Sequence, residues 1–366
     1  MQKYHNLTNE LWRELCLIPA PSHHEDKRAE YICNKLKSWG LNDTYIDDAK
    51  NVVSFVAGNS KETVVFAAHT DTVFPDMEAM PFSEDDINVY CPGCGDDTVD
   101  VAMLMSVLKY FADSCEKPQY SIIFAFNSCE EGLGNLKGIR AIMDKYGQNV
   151  IRFYTFDGKY DMVAPTSVGS HRYRVKVKTE GGHSYSAFGN NSAVHILAKG
   201  INEICNIKVP QEGGKTTYNV GLISGGTSVN TIAEDAEMIC EYRSVSHENL
   251  EYMKQQFEAV FEYMRSLGAE VNVTLVGERP CMRNVDKDIM DKMTKLCMDV
   301  QHRHTGHEIK VLSASTDCNI PHSMGIPAIC VGAYMGGCTH TREEWVEKAS
   351  VLKGFEIIKD IVSYYI

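Results

Sequence analysis

Residues 64–71 read VVFAAHTD, a five-residue apolar run that ends in His69, Thr70 and Asp71. The run is long enough for a buried strand, and its β-branched and aromatic residues favour one. It brings an imidazole and a carboxylate together at the strand's carboxyl end, where open α/β sheets bind their ligands.

Outward from this strand, the chain alternates helical and extended periods. A helix is expected over 24–39, strands over 51–57 and 62–68, an apolar helix over 97–115 and a strand over 120–127. A helix near 136–145 and a strand over 151–156 follow. Alternation of this length predicts an α/β sheet covered on both faces. The stretch 159–170, KYDMVAPTSVGS, is rich in Pro, Gly and Ser and reads as a loop. Beyond it come a strand (173–178), a helix (192–206), two strands (216–223, 236–243), a helix (248–267) and a strand (270–275). That βαββαβ order is the ferredoxin-like split motif. Residues 170–276 are therefore expected to form an inserted domain within a discontinuous α/β/α domain, 1–169 and 277–366. The segment VGERPCMRN returns to a helix (286–304), strands (310–312, 328–331) and a last helix from Glu343.

A length of 366 residues is ample for two domains. Hydrophobic and charged contents of 44% and 23% are ordinary for a soluble globular protein. The formal charge of −13 argues against nucleic acid or an acidic membrane surface as partner. The opening residues are amphipathic and charged throughout, so neither a secretory signal nor, anywhere in the chain, a membrane span is expected. Thirteen scattered cysteines, many inside apolar segments, read as reduced thiols in a cytoplasmic protein.

Further acids and a histidine recur where apolar segments break. Asp96 sits in GCGDDT (93–98), at the start of an apolar helix; alone it reads equally as an N-cap. Glu130 and Glu131 close the strand YSIIFAFNSC, a costly pair to bury unless neutralised. Such a pair suits a division of labour, one acid on a metal and the other a base. Asp157 ends the strand IRFYTF, and His340 follows the turn MGGCT. With His69 these form a donor set for two metal ions, and Asp71 is placed to orient the His69 ring. The His69–Asp71 pair alone fits a surface pair as well.

The motifs IPAPSHHE (18–25), HTDTV (69–73), GCGDDT (93–98), EEGLG (130–134), FDG (156–158), GGHS (181–184), ISGGTSVNTI (223–232), EYRS (241–244), STDCN (315–319) and GGCTHTREE (336–344) span nearly the whole chain. In this order they resemble the co-catalytic zinc peptidase family of peptidase T, the carboxypeptidase G type enzymes, aminoacylase and succinyl-diaminopimelate desuccinylase. The resemblance implies a zinc-exopeptidase-like α/β/α catalytic domain. It also implies two divalent metal ions, zinc foremost with cobalt or manganese as alternatives. Asp96 would bridge them, His69 and Asp157 completing one site and Glu131 and His340 the other. Glu130 would be the general base, and Asp71 would orient His69. The inserted domain would pair two copies into a homodimer, His183 reaching the partner's site to stabilise the oxyanion. Asn230 and Arg243 match positions that contact substrate; taken alone, His183 reads as a surface histidine in a glycine turn and Arg243 equally as a rim salt-bridge residue. Aspartate at 157 resembles the aminopeptidase and dipeptidase branch. Short peptides are accordingly the expected substrate, with removal of N-acyl groups from amino acids the alternative.

Two departures stand out: Thr98-Val99 follows Asp96-Asp97 where many relatives carry lysine and glycine, and Cys91-Pro92-Gly93-Cys94 adds a C-x-x-C. A lone C-x-x-C closes no zinc site, and a redox role requires a strand–motif–helix context. His171, His195, His302, His304 and His307 match no motif and read as structural or solvent-facing. The segment GLGNLKG (132–138) superficially fits a dinucleotide fingerprint, but Glu130 and Glu131 stand where a pyrophosphate would approach. A metal-binding protein without catalysis would lack Glu130 or several ligands, and none is missing.

Overall fold

The computed structural model describes residues 1–114 and 116–366. The chain divides into two compact units, Met1–Ser167 with Arg283–Ile366, and Val168–Met282.

The first unit is built on an eight-stranded sheet. Its strand order is Thr44–Ile46, Val52–Val56, Ser121–Asn127, Thr63–His69, Val150–Phe156, Ala328–Val331, Met162–Ser167 and Lys310–Ala314. The four strands from Ser121–Asn127 to Ala328–Val331 run parallel, while the outer strands introduce antiparallel pairs. Strand Thr63–His69 lies between two parallel neighbours and is buried along its whole length, which is why its sequence is a continuous apolar run. Val64, Phe66 and Ala68 join one hydrophobic cluster with the helices Gln2–Cys16, Asp26–Ser38, Asp100–Ser114, Lys287–Thr305 and Lys348–Ser363. Val65 and Ala67 face the other layer, with Ile139, Ile142 and Met143 of helix Lys137–Tyr146. Three layers follow from that alternation.

The second unit is a four-stranded antiparallel sheet in the order Thr216–Gly225, Asp235–Ser244, Gly169–Lys178, Glu270–Arg279. Helices Ala193–Asn206 and His247–Ser266 supply the apolar cover of Tyr173, Val175 and Val177. The alternate residues of that strand carry charge and pair across the sheet, Arg172 with Glu241 at 3.1 Å and Lys176 with Glu237 at 3.6 Å. Numbering this unit's strands in chain order, the sheet reads 2-3-1-4, which is the ferredoxin-like arrangement.

Three sequence expectations change. The stretch 159–170 is not all loop: Met162–Ser167 is a strand, parallel to Lys310–Ala314 and antiparallel to Ala328–Val331. Pro165 is tolerated because it falls at the register shift between the Val163–Val311 and Thr166–Ser313 pairs, where it has no ladder partner. The last helix starts at Lys348 rather than Glu343, since Trp345–Glu347 first pairs with Asn88–Tyr90. The apolar helix begins at Asp100, after a wide turn over Cys94–Val99; its expected last residue, Cys115, lies outside the described residues.

Candidate active site

Three parallel strands end side by side at their carboxyl ends, and each emits polar residues there. Thr63–His69 delivers His69, Ser121–Asn127 leads into Glu130 and Glu131, and Val150–Phe156 leads into Asp157. A fourth contribution comes from the wide turn Cys94–Val99, whose backbone leaves helical values at Asp96 (φ −94°, ψ 97°), and the Asp96–Asp97 peptide bond is cis. His340, with φ 65°, lies in the turn between the short strands Gly336–Gly337 and Trp345–Glu347.

Asp96 is the centre of this arrangement. Its Oδ1 lies 3.0 Å from His69 Nε2 and its Oδ2 lies 3.0 Å from His340 Nε2, so one carboxylate spans two imidazoles. His340 Nε2 is also 3.1 Å from Glu131 Oε1. Candidate donor atoms within 4.8 Å of one another form three overlapping groups: His69–Asp97–Asp157, His69–Glu130–Glu131 and Asp96–Glu131–His340. Asp71, fully buried, accepts the backbone N–H of Glu130 at 2.9 Å, that of Glu131 at 3.0 Å, and the Ser22 hydroxyl at 2.6 Å. The Nδ1 of His69 lies 3.1 Å from the Asp71 carbonyl oxygen and 3.5 Å from its carboxylate. Asp71 thus steadies both the imidazole and the backbone of the acid pair.

The electrostatics reflect crowded acids. Hydrogen bonds to Asp96 and Glu131 push His340 up to about 10. Burial alone would lower His69, but Asp97, Asp71 and Asp96 outweigh it and raise its pKa. Burial, then the charge of Asp96, pushes Asp157 up to about 7. Burial likewise drives Asp97 and Asp100 well above the ordinary carboxylate range, with the charge of Asp100 also raising Asp97 and that of Asp157 raising both. Two imidazoles among this many buried carboxylates leave negative charge that divalent cations would neutralise. The nitrogen and oxygen donors also suit such ions.

The sequence signature of Peptidase family M20/M25/M40 matches residues 65–364. The chain belongs to this family. Its fold is similar to that of a tripeptidase from Staphylococcus aureus, 22% identical, with a TM-score of 0.80 over 99% of this chain and 98% of that one. A Bacillus subtilis protein described as a dinuclear metal binding peptidase of family M20 superposes with a TM-score of 0.66 at 15% identity over the whole of both chains. An N-acetyldiaminopimelate deacetylase from Leuconostoc mesenteroides is 22% identical over 96% of this chain and 95% of its own length. This M20 protein is accordingly a hydrolase of a family that acts on peptide and amide bonds.

The remaining residues singled out in the sequence lie in the ferredoxin-like unit. His183 and Asn230 come together there: Gly182–His183 pairs with Thr231–Ile232, and Ser184 N–H donates to the Asn230 carbonyl at 2.9 Å. Arg243, half-buried on strand Asp235–Ser244, donates from Nε and Nη2 to Glu241 at 2.7 and 3.1 Å. In the M20 site itself, sequence reasoning missed four contributors: Ser22, Asp97, Arg28 and Glu344. Asp97 Oδ2 accepts the His69 backbone N–H at 2.9 Å. Arg28, buried, donates to the carbonyls of Leu15, Ile18 and Thr70 and, at 3.1 Å, to the Thr98 hydroxyl. IPAPSHHE held the signal for Ser22. GGCTHTREE likewise ends on Glu344, though nothing local gives its backbone-bonding role, and nothing in the local sequence marks a backbone-bonded Arg28.

Proposed function

We propose that this M20 protein is a metal-dependent exopeptidase that hydrolyses short peptides in the manner of a tripeptide aminopeptidase or dipeptidase. The observation that carries the reading is the single Asp96 carboxylate 3.0 Å from His69 on one side and from His340 on the other, beside the Glu130–Glu131 pair. Two divalent cations, zinc foremost, would supply an acidified water and Lewis-acid polarisation of the scissile carbonyl. Asp96 would be shared between them, with His69 and Asp157 on one side and Glu131 and His340 on the other.

Glu130 is the general base: it takes a proton from the attacking water and returns it to the departing amine. Asp71 holds Glu130 for that task through its backbone N–H. His183 Nδ1 accepts the Tyr185 N–H at 3.2 Å, which leaves the ring proton on Nε2 as a donor for the oxyanion in a partner copy's site. Asn230 and Arg243 contact the substrate. Homodimerisation is supported by strand Thr216–Gly225, which pairs on one side only and exposes Leu222 and Ile223 at 64% and 60%. Twelve free cysteines among the described residues, ten of them buried, fit the cytoplasm as compartment. No helix among the described residues is long and apolar enough to cross a membrane.

A second reading, removal of N-acyl groups from amino acids, is favoured by the deacetylase relative and uses the same residues. One experiment separates the two. Zinc-loaded protein is given free-amino di- and tripeptides together with N-acetylated and N-succinylated amino acids, and cleavage is read by mass spectrometry. Release of the amino-terminal residue, blocked by N-acetylation of the peptide, supports the peptidase. Cleavage of the acylated compounds alone transfers the protein to the deacylases.

A further inference from the structure

Glu344 is 1% exposed and lies four residues beyond His340. Its carboxylate accepts three backbone N–H groups of one segment: Gly93 at 2.8 Å on Oε2, and Gly95 and Asp96 at 2.9 Å each on Oε1. Its carbonyl oxygen accepts the Cys91 N–H at 3.2 Å. One side chain and its own backbone therefore grip the whole approach to Asp96. Gly95 leaves room for this: a Cβ there would sit 2.9 Å from Glu344 Oε1 and from the Tyr334 ring. Gly93 adopts φ 74°, and a Cβ on it would meet Thr72 Cγ2 at 2.7 Å.

Burying one more carboxylate beside a centre already rich in them is costly: burial still pushes Glu344 up to about 7, and the three N–H groups offset only part of that cost. What they secure is geometry. Asp96 is fixed at both ends by one turn, its backbone nitrogen by Glu344 and its carboxylate oxygen Oδ2 by His340. That turn is itself closed by Thr341, whose hydroxyl and N–H both donate to the Cys338 carbonyl at 2.7 and 3.1 Å.

We propose that Glu344 is the positioning residue of the metal centre: it holds the Asp96 backbone in register with His340, so that both metal positions exist before a cation arrives. The proposal rests on the two-metal reading above and concerns the scaffold, whichever amide is cleaved.

The test is metal titration of the metal-free full chain by calorimetry with zinc, and with cobalt, whose visible spectrum reports ligand geometry. Glu344→Gln keeps the size but turns an amide N–H₂ toward the backbone donors; Glu344→Asp keeps the charge but is one methylene too short for all three. Both are expected to weaken metal binding about 10- to 100-fold and to alter the cobalt spectrum. Ile361→Ala, a buried apolar truncation in helix Lys348–Ser363, is expected to lower the melting temperature with metal affinity unchanged. Affinity retained in the Glu344 variants, or lost equally in Ile361→Ala, would overturn the proposal.

Should the Glu344 variants fail to fold, hydrogen exchange in the metal-free wild type decides. Slow exchange over residues 93–96 is expected, and fast exchange slowed only by zinc would sink the idea. A wild type that takes up neither metal would overturn the two-metal reading and this inference with it. Tight wild-type binding left unchanged in the variants would overturn this inference alone.

Discussion

Asp71 shows how much of the candidate site is held by a residue that need not touch substrate. It accepts the N–H groups from which Glu130 and Glu131 project, and it is fully buried. Asp71→Ala removes the carboxylate that accepts two buried N–H groups, at about 1–3 kcal/mol each. The variant is expected to lower the urea midpoint and to reduce kcat/KM on the cleaved substrate about 10- to 100-fold, since orienting partners carry effects of that size. Glu130→Gln should instead abolish turnover while zinc content, measured by atomic absorption, stays near that of the wild type. His322 gives a pH prediction away from the donors. Burial holds its imidazole down at about 4, and Nδ1 lies 2.6 Å from the Ser167 hydroxyl. The unfolded chain binds a proton below about pH 6.5 that the native site refuses until about 4. Stability is therefore full above pH 6.5 and falls as pH drops toward 4, by on the order of 3 kcal/mol. Urea midpoints of His322→Asn between pH 7 and 4.5 should fall less steeply than the wild type's; parallel curves would refute this. His69, Asp96 and Glu131 were legible as candidates because each follows an apolar run or a glycine turn. Glu344 lies inside the quoted GGCTHTREE motif, but its role was not legible, because its partners are backbone amides up to 251 residues away in sequence.

Among the elements, the long buried strands were readable directly: an apolar run flanked by polar punctuation has few other uses. The wide turn Cys94–Val99 was hidden inside an apolar helical pattern, since a local departure at Asp96 and Asp97 leaves no mark on periodicity. Strand Met162–Ser167 was obscured by Pro165, and Trp345–Glu347 by its brevity. Helix Lys348–Ser363 makes the element-scale prediction. A Cβ on Gly354 would lie 2.0 Å from the Ala333 carbonyl oxygen and 2.6 Å from Met103 Sδ. Ala is ordinarily the better helix former, by up to about 1 kcal/mol. Here the backbone contact outweighs that gain, and Gly354→Ala is expected to destabilise by about 1–3 kcal/mol in a urea titration. A variant more stable than the wild type would show that the helix can move aside.

For the whole molecule, the division into two units predicts how metal acts on stability. All the proposed ligands belong to the unit formed by Met1–Ser167 and Arg283–Ile366. A cation at 100 times its dissociation constant adds about 2.7 kcal/mol to the state that binds it. For a unit of that size this is a rise of roughly 5–10 °C in melting temperature. Calorimetry with zinc and with a chelator should show one transition moving and that of Val168–Met282 staying in place. If the proposed homodimer forms through the one-sided edge strand, Leu222→Lys is expected to shift sedimentation toward the monomer without changing either transition; a dimer unchanged by the substitution would place the interface elsewhere.

The grip of Glu344 on the Asp96 segment also bears on biosynthesis. The two residues are 248 positions apart, and the whole of Val168–Met282 is made between them. At translation rates of roughly 5–20 residues per second, Asp96 waits roughly 10–50 s for its holder to emerge. The intervening unit, contiguous in sequence, is free to fold during that interval. The proposed metal centre therefore cannot be finished until His340 and Glu344 have been made, long after Asp96.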